Sequence, residues 1–257
     1  MKLIGWIDWR NNLYNLYHAD CLDFLENLEA SSFDMVLVDP PYFGVIKDKW
    51  DNQWKDEKEY LDWCANWTAH CVRVLKRNRM MVVWGTLKTD TFLKYKLQCL
   101  NGSGMSPQTE IIWHYNWGGR TKKNFARKSE LAWCYSKGDE YLFNADDVRV
   151  ERKLKKNIRT GKDYTQGTIP TNVWNFQNHT GSKEHCGWHP TVKNLDCIRR
   201  MILAYTNKGD TVLDCFSGAG TTMIACEQLG RNFIGCELDK DYYDKSLIRC
   251  KELVEQK

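Results

Sequence analysis

The sequence predicts an α/β protein built on a doubly wound parallel sheet, with an inserted segment in the middle of the chain. Near both ends, short apolar runs alternate with segments whose apolar residues recur at helical spacing, which is the order of strand–helix–strand units. Between about residues 144 and 188 this periodicity fades, and charged, Asn, Thr and Gly residues become frequent. The 257 residues, 42% of them hydrophobic, are enough for a sizeable core.

The elements follow in chain order. In the first half we predict strands at 13–20, 33–39, 80–84, 110–115 and 131–135, and helices at 22–28, 56–75 and 88–97. In the last part we predict helices at 194–205, 219–229 and 241–254, and strands at 211–215 and 233–237. The residues before the first strand mix aromatic and polar side chains and receive no assignment.

The run Asp39-Pro40-Pro41-Tyr42 directly follows an apolar strand. Ligands bind at the carboxyl ends of the strands in such sheets, so a carboxylate, two prolines without N–H groups and an aromatic ring are placed together at a cleft. This combination suits a flat ring that carries an amino group. An ordinary strand-ending turn is the alternative, because Asp and Pro are common in turns.

A glycine loop follows the strand at 211–215. Asp214 and Cys215 are followed by Phe216-Ser217-Gly218-Ala219-Gly220-Thr221-Thr222, and Glu237 ends the next strand. Glycines allow the backbone to pass close to a ligand, a helix N-terminus offers free N–H groups, and an acid at the next strand end suits ribose hydroxyls. Met223 occupies the place of the third small residue of the dinucleotide fingerprint, which disfavours a nicotinamide dehydrogenase.

With these motifs and the segment His189-Pro190-Thr191-Val192-Lys193, the chain resembles the amino-group DNA methyltransferases of the permuted β class, which use S-adenosylmethionine. The order of the three motifs matches over nearly the whole chain. The resemblance assigns Asp20 to the adenine end of the cofactor, Glu237 to its ribose hydroxyls, and Thr191 and Lys193 to its methionine end. The full cofactor-binding set that it implies is Asp20, Cys21, His189, Pro190, Thr191, Lys193, Asp214, Phe216, Ser217, Gly218, Gly220, Thr221, Thr222 and Glu237.

The resemblance also implies a domain organisation. Residues 1–117 and 189–257 would form one circularly permuted, Rossmann-like methyltransferase domain, and residues 118–188 an inserted target-recognition region. If the C-terminal strands lie beside the N-terminal ones, the carboxylates of Asp20, Asp39, Asp214 and Glu237 meet at one edge of the sheet.

The implied reaction is site-specific methylation of the N6 amino group of adenine in duplex DNA, with the base flipped out of the helix. Asp39 and the Pro40 carbonyl would hold the amine, Pro41 would stiffen the turn and Tyr42 would stack on the base. Asp in the first motif position favours adenine, and cytosine-N4 methylation is the alternative. A catalytically silent DNA-binding module and an RNA methyltransferase are further alternatives. Cytosine-C5 chemistry is excluded because it needs a Cys after Pro, which none of the five prolines has.

Two basic groups in the middle segment are the predicted DNA contacts. Residues 149–162 carry seven Lys or Arg residues against one acid, which points to a polyanion partner. The predicted DNA-binding residues are Lys122, Lys123, Arg127, Lys128, Arg152, Lys153, Lys155, Lys156 and Arg159.

The remaining expectations concern compartment, metal and partners. Eleven cysteines without framework spacing, no signal peptide and no apolar run near the ~20 residues of a membrane span predict reduced thiols and a cytoplasmic protein. The cluster His179, His185, Cys186 and His189 fits no zinc spacing, so no metal site is predicted. The resemblance allows a homodimer, but no stretch identifies an interface, and a restriction-modification role would need a restriction partner that the sequence does not identify.

Overall fold

A computed structural model of the chain describes residues 6–9, 12–116, 120–152, 155–156, 158–161, 163–177 and 186–254. The strands are β1 (Trp6–Trp9), β2 (Asn12–His18), β3 (Phe33–Val38), β4 (Leu75–Gly85), β5 (Ser106–His114), β6 (Ser129–Ser136), β7 (Val173–Asn175), β8 (Thr211–Asp214) and β9 (Asn232–Glu237). The helices are α1 (Cys21–Glu26), α2 (Glu57–Val74), α3 (Asp90–Tyr95), α4 (Leu195–Tyr205), α5 (Thr221–Leu229) and α6 (Lys240–Val254).

The described strands form one mixed sheet in the order β1-β2-β9-β8-β3-β4-β6-β5-β7. The five strands from β2 to β4 in this order are parallel to one another, while β1 and β6 are antiparallel to their neighbours. The C-terminal strands β8 and β9 therefore lie between the N-terminal strands β2 and β3, which confirms the permuted sheet.

Helices cover both faces of the sheet because the buried parallel strands are apolar on both sides. Met35 and Leu37 of β3 pack with α4, α5 and α6, whereas Val36 and Val38 point to the opposite face and pack with α1, α2 and α3. This alternation follows from the two-residue period of a strand. The doubly wound fold class is thereby confirmed.

The chain changes face between two neighbouring strands. β8 leads into α5 on one face, and β3 leads by way of a loop into α2 on the other, although β8 and β3 are paired in parallel. Such a switch point opens a crevice at the carboxyl ends of the two strands. The two motifs of the sequence, at 39–42 and 216–220, lie at this crevice.

Several boundaries differ from the sequence prediction. β4 begins immediately after α2 and is longer than expected, and the helix predicted at 88–97 is α3 followed by a π-helical turn, Lys96–Leu100. β1 and β7, which the sequence did not reveal, extend the sheet at its two edges. Both are only three or four residues long, too short for a periodic signal.

The segment predicted as an insertion contributes β6 and β7 to the sheet, and β6 pairs with β4 on one side and β5 on the other. The division of the chain at 118 and 188 stays a prediction. Among the described residues, no helix combines the length and the apolar character that crossing a membrane requires.

Candidate functional site

Asp39 directly follows β3 and uses both of its carboxylate oxygens. Oδ1 accepts a hydrogen bond from the Tyr42 hydroxyl, and Oδ2 accepts one from the Lys193 ammonium at 2.5 Å. The Tyr42 ring lies edge-on against Phe92 with 4.9 Å between centroids. Burial first, and then the charge of Asp39, raises the pKa of the Tyr42 hydroxyl well above its usual value, so it remains a donor.

The two prolines lie between these side chains and line the cleft. The carbonyl of Pro41 accepts a hydrogen bond of 2.7 Å from the buried Tyr60 hydroxyl of α2. This bond ties the turn to the helix layer behind it. The carboxylate of Asp39 is therefore held in a rigid turn rather than in a free loop.

Asp51 organises the loop that follows this motif. Its buried carboxylate accepts hydrogen bonds from the backbone N–H groups of Tyr42 (2.6 Å), Val45 (2.6 Å) and Ile46 (2.8 Å). Burial raises the pKa of Asp51, and the hydrogen bonds oppose that rise. The loop thus closes back on the turn at 39–42 through one acid that the sequence analysis did not single out.

The glycine loop between β8 and α5 is shaped by left-handed backbone at Gly218 (φ +51°) and Gly220 (φ +74°). A Cβ atom at Gly218 would lie 2.9 Å from Nε2 of His189, so the histidine ring sits directly against the backbone there. Arg249 of α6 donates to the carbonyl of Ala219 at 2.7 Å and fixes the loop from behind. Only a residue without a side chain satisfies both the conformation and the space at Gly218.

Three carboxylates surround this loop. Glu237, at the end of β9, accepts from the N–H of Gly218 at 2.7 Å, and Asp214 accepts from the N–H of Phe216 at 3.0 Å. Asp20, which follows β2, caps α1 by accepting from the N–H of Leu22 at 2.8 Å. Their oxygens are thus held by backbone groups at the same edge of the sheet, as predicted.

The electrostatics of the cleft favour a cationic ligand. Burial raises the pKa of Asp214 to about 7, and the charges of Asp39 and Glu237 act in the same direction. Hydrogen bonds from Thr222 and Phe216 oppose this rise. Burial likewise raises the pKa of Glu237. A ligand that brings positive charge to this edge would stabilise both carboxylates in their ionised form.

His189 is a neutral imidazole in this environment. Burial, together with the charges of Lys193 and Arg249, lowers its pKa to about 4. Its Nδ1 accepts from the N–H of Thr191 at 3.3 Å, and its ring lies 4.7 Å from that of Tyr242. The segment at 189–193 is therefore held against the glycine loop by a ring that carries no charge.

Lys193 lies in the cleft between two carboxylates. Its ammonium contacts Asp39 and lies 3.3 Å from Oε2 of Glu130 on β6. Its assignment to the methionine end of the cofactor stays a prediction. Burial acts to lower the pKa of Lys193, yet the charges of Asp39 and Glu130 outweigh it and raise that pKa above the usual value. Lys193 is therefore a buried cation beside the turn at 39–42.

One cleft brings together nearly all of the predicted catalytic and cofactor-binding residues. The predicted residues that line it are Asp20, Cys21, Asp39, Pro40, Pro41, Tyr42, His189, Thr191, Lys193, Asp214, Phe216, Ser217, Gly218, Thr221, Thr222 and Glu237. Pro190 is exposed and Gly220 lies below the loop against Ser246, so these two do not line it. Lining residues that the sequence analysis did not single out include Trp50, Asp51, Trp63, Trp84, Glu130 and Tyr242.

The two groups of predicted DNA-binding residues, at 122–128 and 152–159, make different local contacts. Arg127 donates to the carbonyl of Leu87, in the loop that carries the cleft residues Thr86 and Lys88. Arg152, in the second group, lies over the ring of Tyr164 at 4.1 Å. Among the predicted residues, Lys122, Lys123, Arg127, Lys155, Lys156 and Arg159 are exposed, Lys128 and Arg152 are half-buried, and Lys153 lies outside the described residues.

The residues weighed as zinc ligands do not form a described cluster. His179 and His185 lie outside the described part of the chain, and Cys186 is buried. Within the described part, no group of three or more His, Cys, Asp or Glu side chains is arranged to hold a metal ion. All eleven cysteines are free and buried.

Comparison with known proteins decides the family. A family model described as DNA methylase matches residues 33–248. The chain belongs to this DNA methylase family. The methyltransferase shares 30% identity over 249 residues with the type II methyltransferase M1.MboII of Moraxella bovis, covering 90% of this chain and 94% of that protein. It shares 31% identity over 251 residues with the DNA adenine methyltransferase YhdJ of Escherichia coli (strain K12), covering 93% of this chain and 83% of that one.

Solved structures show the same fold. The methyltransferase superimposes on the PvuII DNA methyltransferase, described as cytosine-N4-specific, with a TM-score of 0.73 over 96% of this chain and 92% of that one, at 18% identity. The M1.HpyAVI–SAM complex is 26% identical, with a TM-score of 0.62 over 92% of this chain and 100% of that one. The fold and the use of S-adenosylmethionine as methyl donor are thereby confirmed.

The cleft fits this cofactor. S-adenosylmethionine carries a sulfonium and an amino acid end, and the edge of the sheet offers the carboxylates of Asp20, Asp214 and Glu237 near Gly218, which has no side chain to obstruct a ligand. The hydroxyl of Ser217 is buried without a hydrogen-bond partner among the described residues and would gain one from a polar ligand. When bound, the cofactor supplies a methyl group made electrophilic by the positive sulfur.

Proposed function

We propose that this DNA methyltransferase methylates the N6 amino group of adenine in duplex DNA, with Asp39, Pro40, Pro41 and Tyr42 as the site that receives the flipped base. The observation that carries this proposal is the juxtaposition of that rigid acidic turn with the glycine loop of β8 in one cleft. Acceptor and donor sites on neighbouring strands allow direct transfer within a single pocket. The 31% identity to a protein named DNA adenine methyltransferase supports the choice of base.

The amine of adenine is a weak nucleophile because its lone pair is delocalised into the ring. The Asp39 carboxylate and the Pro40 carbonyl accept hydrogen bonds from its two N–H groups, which favours a tetrahedral nitrogen with a directed lone pair. The nitrogen gains the methyl group as the bond between the methyl carbon and the sulfonium sulfur breaks, and the electron pair of that bond stays on sulfur, which becomes a neutral thioether. The nitrogen then loses one proton, for which the Asp39 carboxylate is the acceptor. Tyr42 supplies an aromatic face for the base, a contact that contributes about 1–3 kcal/mol per base.

The first basic group is the better-supported part of the DNA surface. Lys122, Lys123 and Arg127 are exposed, and Arg127 contacts the loop that carries the cleft residues Thr86 and Lys88. Phosphate contacts from this group would position the duplex over the site. Phe125 lies among them with 95% of its side chain exposed. It is an aromatic group without a packing role in a basic surface, and stacking on DNA would give it one.

The test is product analysis. The protein is incubated with labelled S-adenosylmethionine and, in parallel reactions, with unmethylated plasmid DNA or structured RNA, and the nucleosides are then separated by mass. We expect N6-methyladenine, whereas N4-methylcytosine would show that the base is wrong, and label transfer to structured RNA alone would show that the nucleic acid is wrong.

A variant tests the acceptor role. Asp39→Ala should lower kcat by roughly 10²–10³-fold, as for the loss of one oriented polar group in an active site. Asp139→Ala, on an exposed turn after β6, is the matched control and should behave as wild type. Undiminished transfer by Asp39→Ala would refute the assignment. Because that change leaves Lys193 with one carboxylate partner, folding is verified through the melting temperature and cofactor binding.

A further inference from the structure

The ammonium of Lys193 lies between two carboxylates from different parts of the chain. Oδ2 of Asp39 is 2.5 Å from Nζ, and Oε2 of Glu130 is 3.3 Å from it. The rings of Trp84 and Tyr42 lie 5.4 Å and 5.8 Å from the same atom. With only 6% of its side chain exposed, the ammonium depends on these groups in place of water.

The two carboxylates are not used equally. Asp39 makes the short contact, whereas Oε2 of Glu130 is buried and makes no hydrogen bond of good geometry within the described part of the chain. An acceptor oxygen that is buried and incompletely satisfied is costly, and such groups in folded proteins call for an explanation. Glu130 therefore offers a second hydrogen-bonding position within reach of the ammonium.

The proposed reaction needs Asp39 to change partners. In the structure its two oxygens are engaged by Tyr42 and Lys193, yet the amine of the target base must donate to the same carboxylate. Displacing the ammonium without a second counterion would leave a buried, unpaired charge, which is strongly unfavourable. Glu130 removes that obstacle because it can hold the ammonium after a small movement.

We propose that Glu130 is a positioning residue that takes over the Lys193 ammonium when Asp39 turns its carboxylate to the target amine. This role rests on the proposed function of Asp39 and deepens it. Glu130 does not touch the reacting atoms. It acts through Lys193 by making the exchange of partners at Asp39 possible.

Glu130→Gln is the direct test, because it keeps the shape of the side chain and removes the charge. The Lys193–Asp39 pair stays in place, so the melting temperature and the Kd for S-adenosylmethionine, measured by calorimetry, should stay close to wild type. The single-turnover rate on unmethylated plasmid DNA should fall roughly 10- to 100-fold, the size expected for misplacement of a reacting group. Glu110→Gln on the neighbouring strand β5, where Glu110 pairs with Lys96, is the matched control and should keep the full rate.

A double-variant cycle separates action through Lys193 from a general effect. If Glu130 acts through Lys193, adding Glu130→Gln to Lys193→Met should cause no further loss of rate. If the double variant instead loses rate by the product of the two single losses, the proposal is overturned. A full rate in Glu130→Gln, or a Kd for S-adenosylmethionine that rises by the same factor as the rate falls, would also overturn it. Because Glu130→Gln preserves the ion pair with Asp39, its result stands even where Lys193→Met does not fold.

The result for Glu130→Gln can be distinguished from a failure of the proposed function. If the wild-type product is N4-methylcytosine, the choice of adenine is wrong, and the Glu130 comparison is decided on that product instead. If Asp39→Ala is fully active while Glu130→Gln is slow, the amine-binding role of Asp39 fails and Glu130 does not act by this exchange.

Discussion

Gly218→Ala perturbs the cleft where the backbone of the glycine loop lies directly against the His189 ring. The residue has φ +51°, where an L side chain is strained by about 1–2 kcal/mol. Its new methyl group would also lie 2.9 Å from Nε2 and 3.4 Å from Cε1 of His189, which forces the ring to move. Overpacking of this kind costs about 1–3 kcal/mol, so the free energy of unfolding should fall by about 2–5 kcal/mol in total.

The displaced ring has a direct consequence for binding. His189 lines the cleft beside the glycine loop, so displacement of its ring alters the space in which the cofactor is expected and produces overlap where the ring turns toward the cofactor. If the overlap persists in the bound state, a cost of about 1–3 kcal/mol corresponds to roughly 5- to 150-fold weaker binding of S-adenosylmethionine. Isothermal calorimetry and denaturant unfolding give the two quantities separately.

Gly230→Ala is the matched control. Gly230 has φ +70° at the other end of α5, and a Cβ there meets no atom of the described residues within 4 Å. It should lose only the about 1–2 kcal/mol of backbone strain and bind the cofactor as wild type does. Equal affinities in the two variants would refute the inferred contact between Gly218, His189 and the cofactor.

Four further outcomes are expected. A cationic ligand favours ionised Asp214, so the affinity for S-adenosylmethionine should fall as the pH drops below about 7, and calorimetry across pH should show this dependence lost in Asp214→Asn. The stability of the unliganded protein should depend on pH in the opposite direction. Folded Asp214 keeps its proton up to about pH 7, whereas the unfolded chain releases it near the ordinary pKa of 3.8. The free energy of unfolding should therefore decrease as the pH rises between these two values, and it should decrease less in Asp214→Asn. Asp51→Ala leaves three backbone N–H groups without their acceptor and should destabilise the protein by about 3 kcal/mol or more, measured by denaturant unfolding, with a full melting temperature contradicting the role of Asp51. Replacing Lys122 and Lys123 by Ala should reduce the slope of log K against log salt by about 1 for each phosphate that the variant no longer neutralises, whereas an unchanged slope would remove these lysines from the DNA surface.

The acids at the strand ends were predictable because position follows from topology. A carboxylate that ends a parallel strand must lie at the carboxyl edge of the sheet, and Asp39, Asp214 and Glu237 each follow or end an apolar run. Their gathering into one cleft required only that β8 and β9 lie beside β2 and β3, which the motif order implied. The strand order confirms that placement.

Other residues of the site could not be predicted, for a different reason. Glu130 and Asp51 owe their importance to partners far along the chain or to backbone groups, and their local sequence resembles that of any strand end or polar loop. Lys193 was found by its motif, but its partner was not, because a flexible side chain can reach either half of the cleft. Only packing decides between those positions.

The position of the C-terminal strands has a consequence for the folding of the chain. Leu13 donates a hydrogen bond to Asn232, 219 positions later, and β3 likewise pairs with β8. While the chain is being synthesised from its N-terminus, β2 and β3 therefore remain unpaired on the sides later filled by β9 and β8. Contacts of such long sequence separation form slowly, and strand edges that wait for them are prone to pair with other chains. The order of motifs that builds the cleft therefore also delays its completion until β9 has been made.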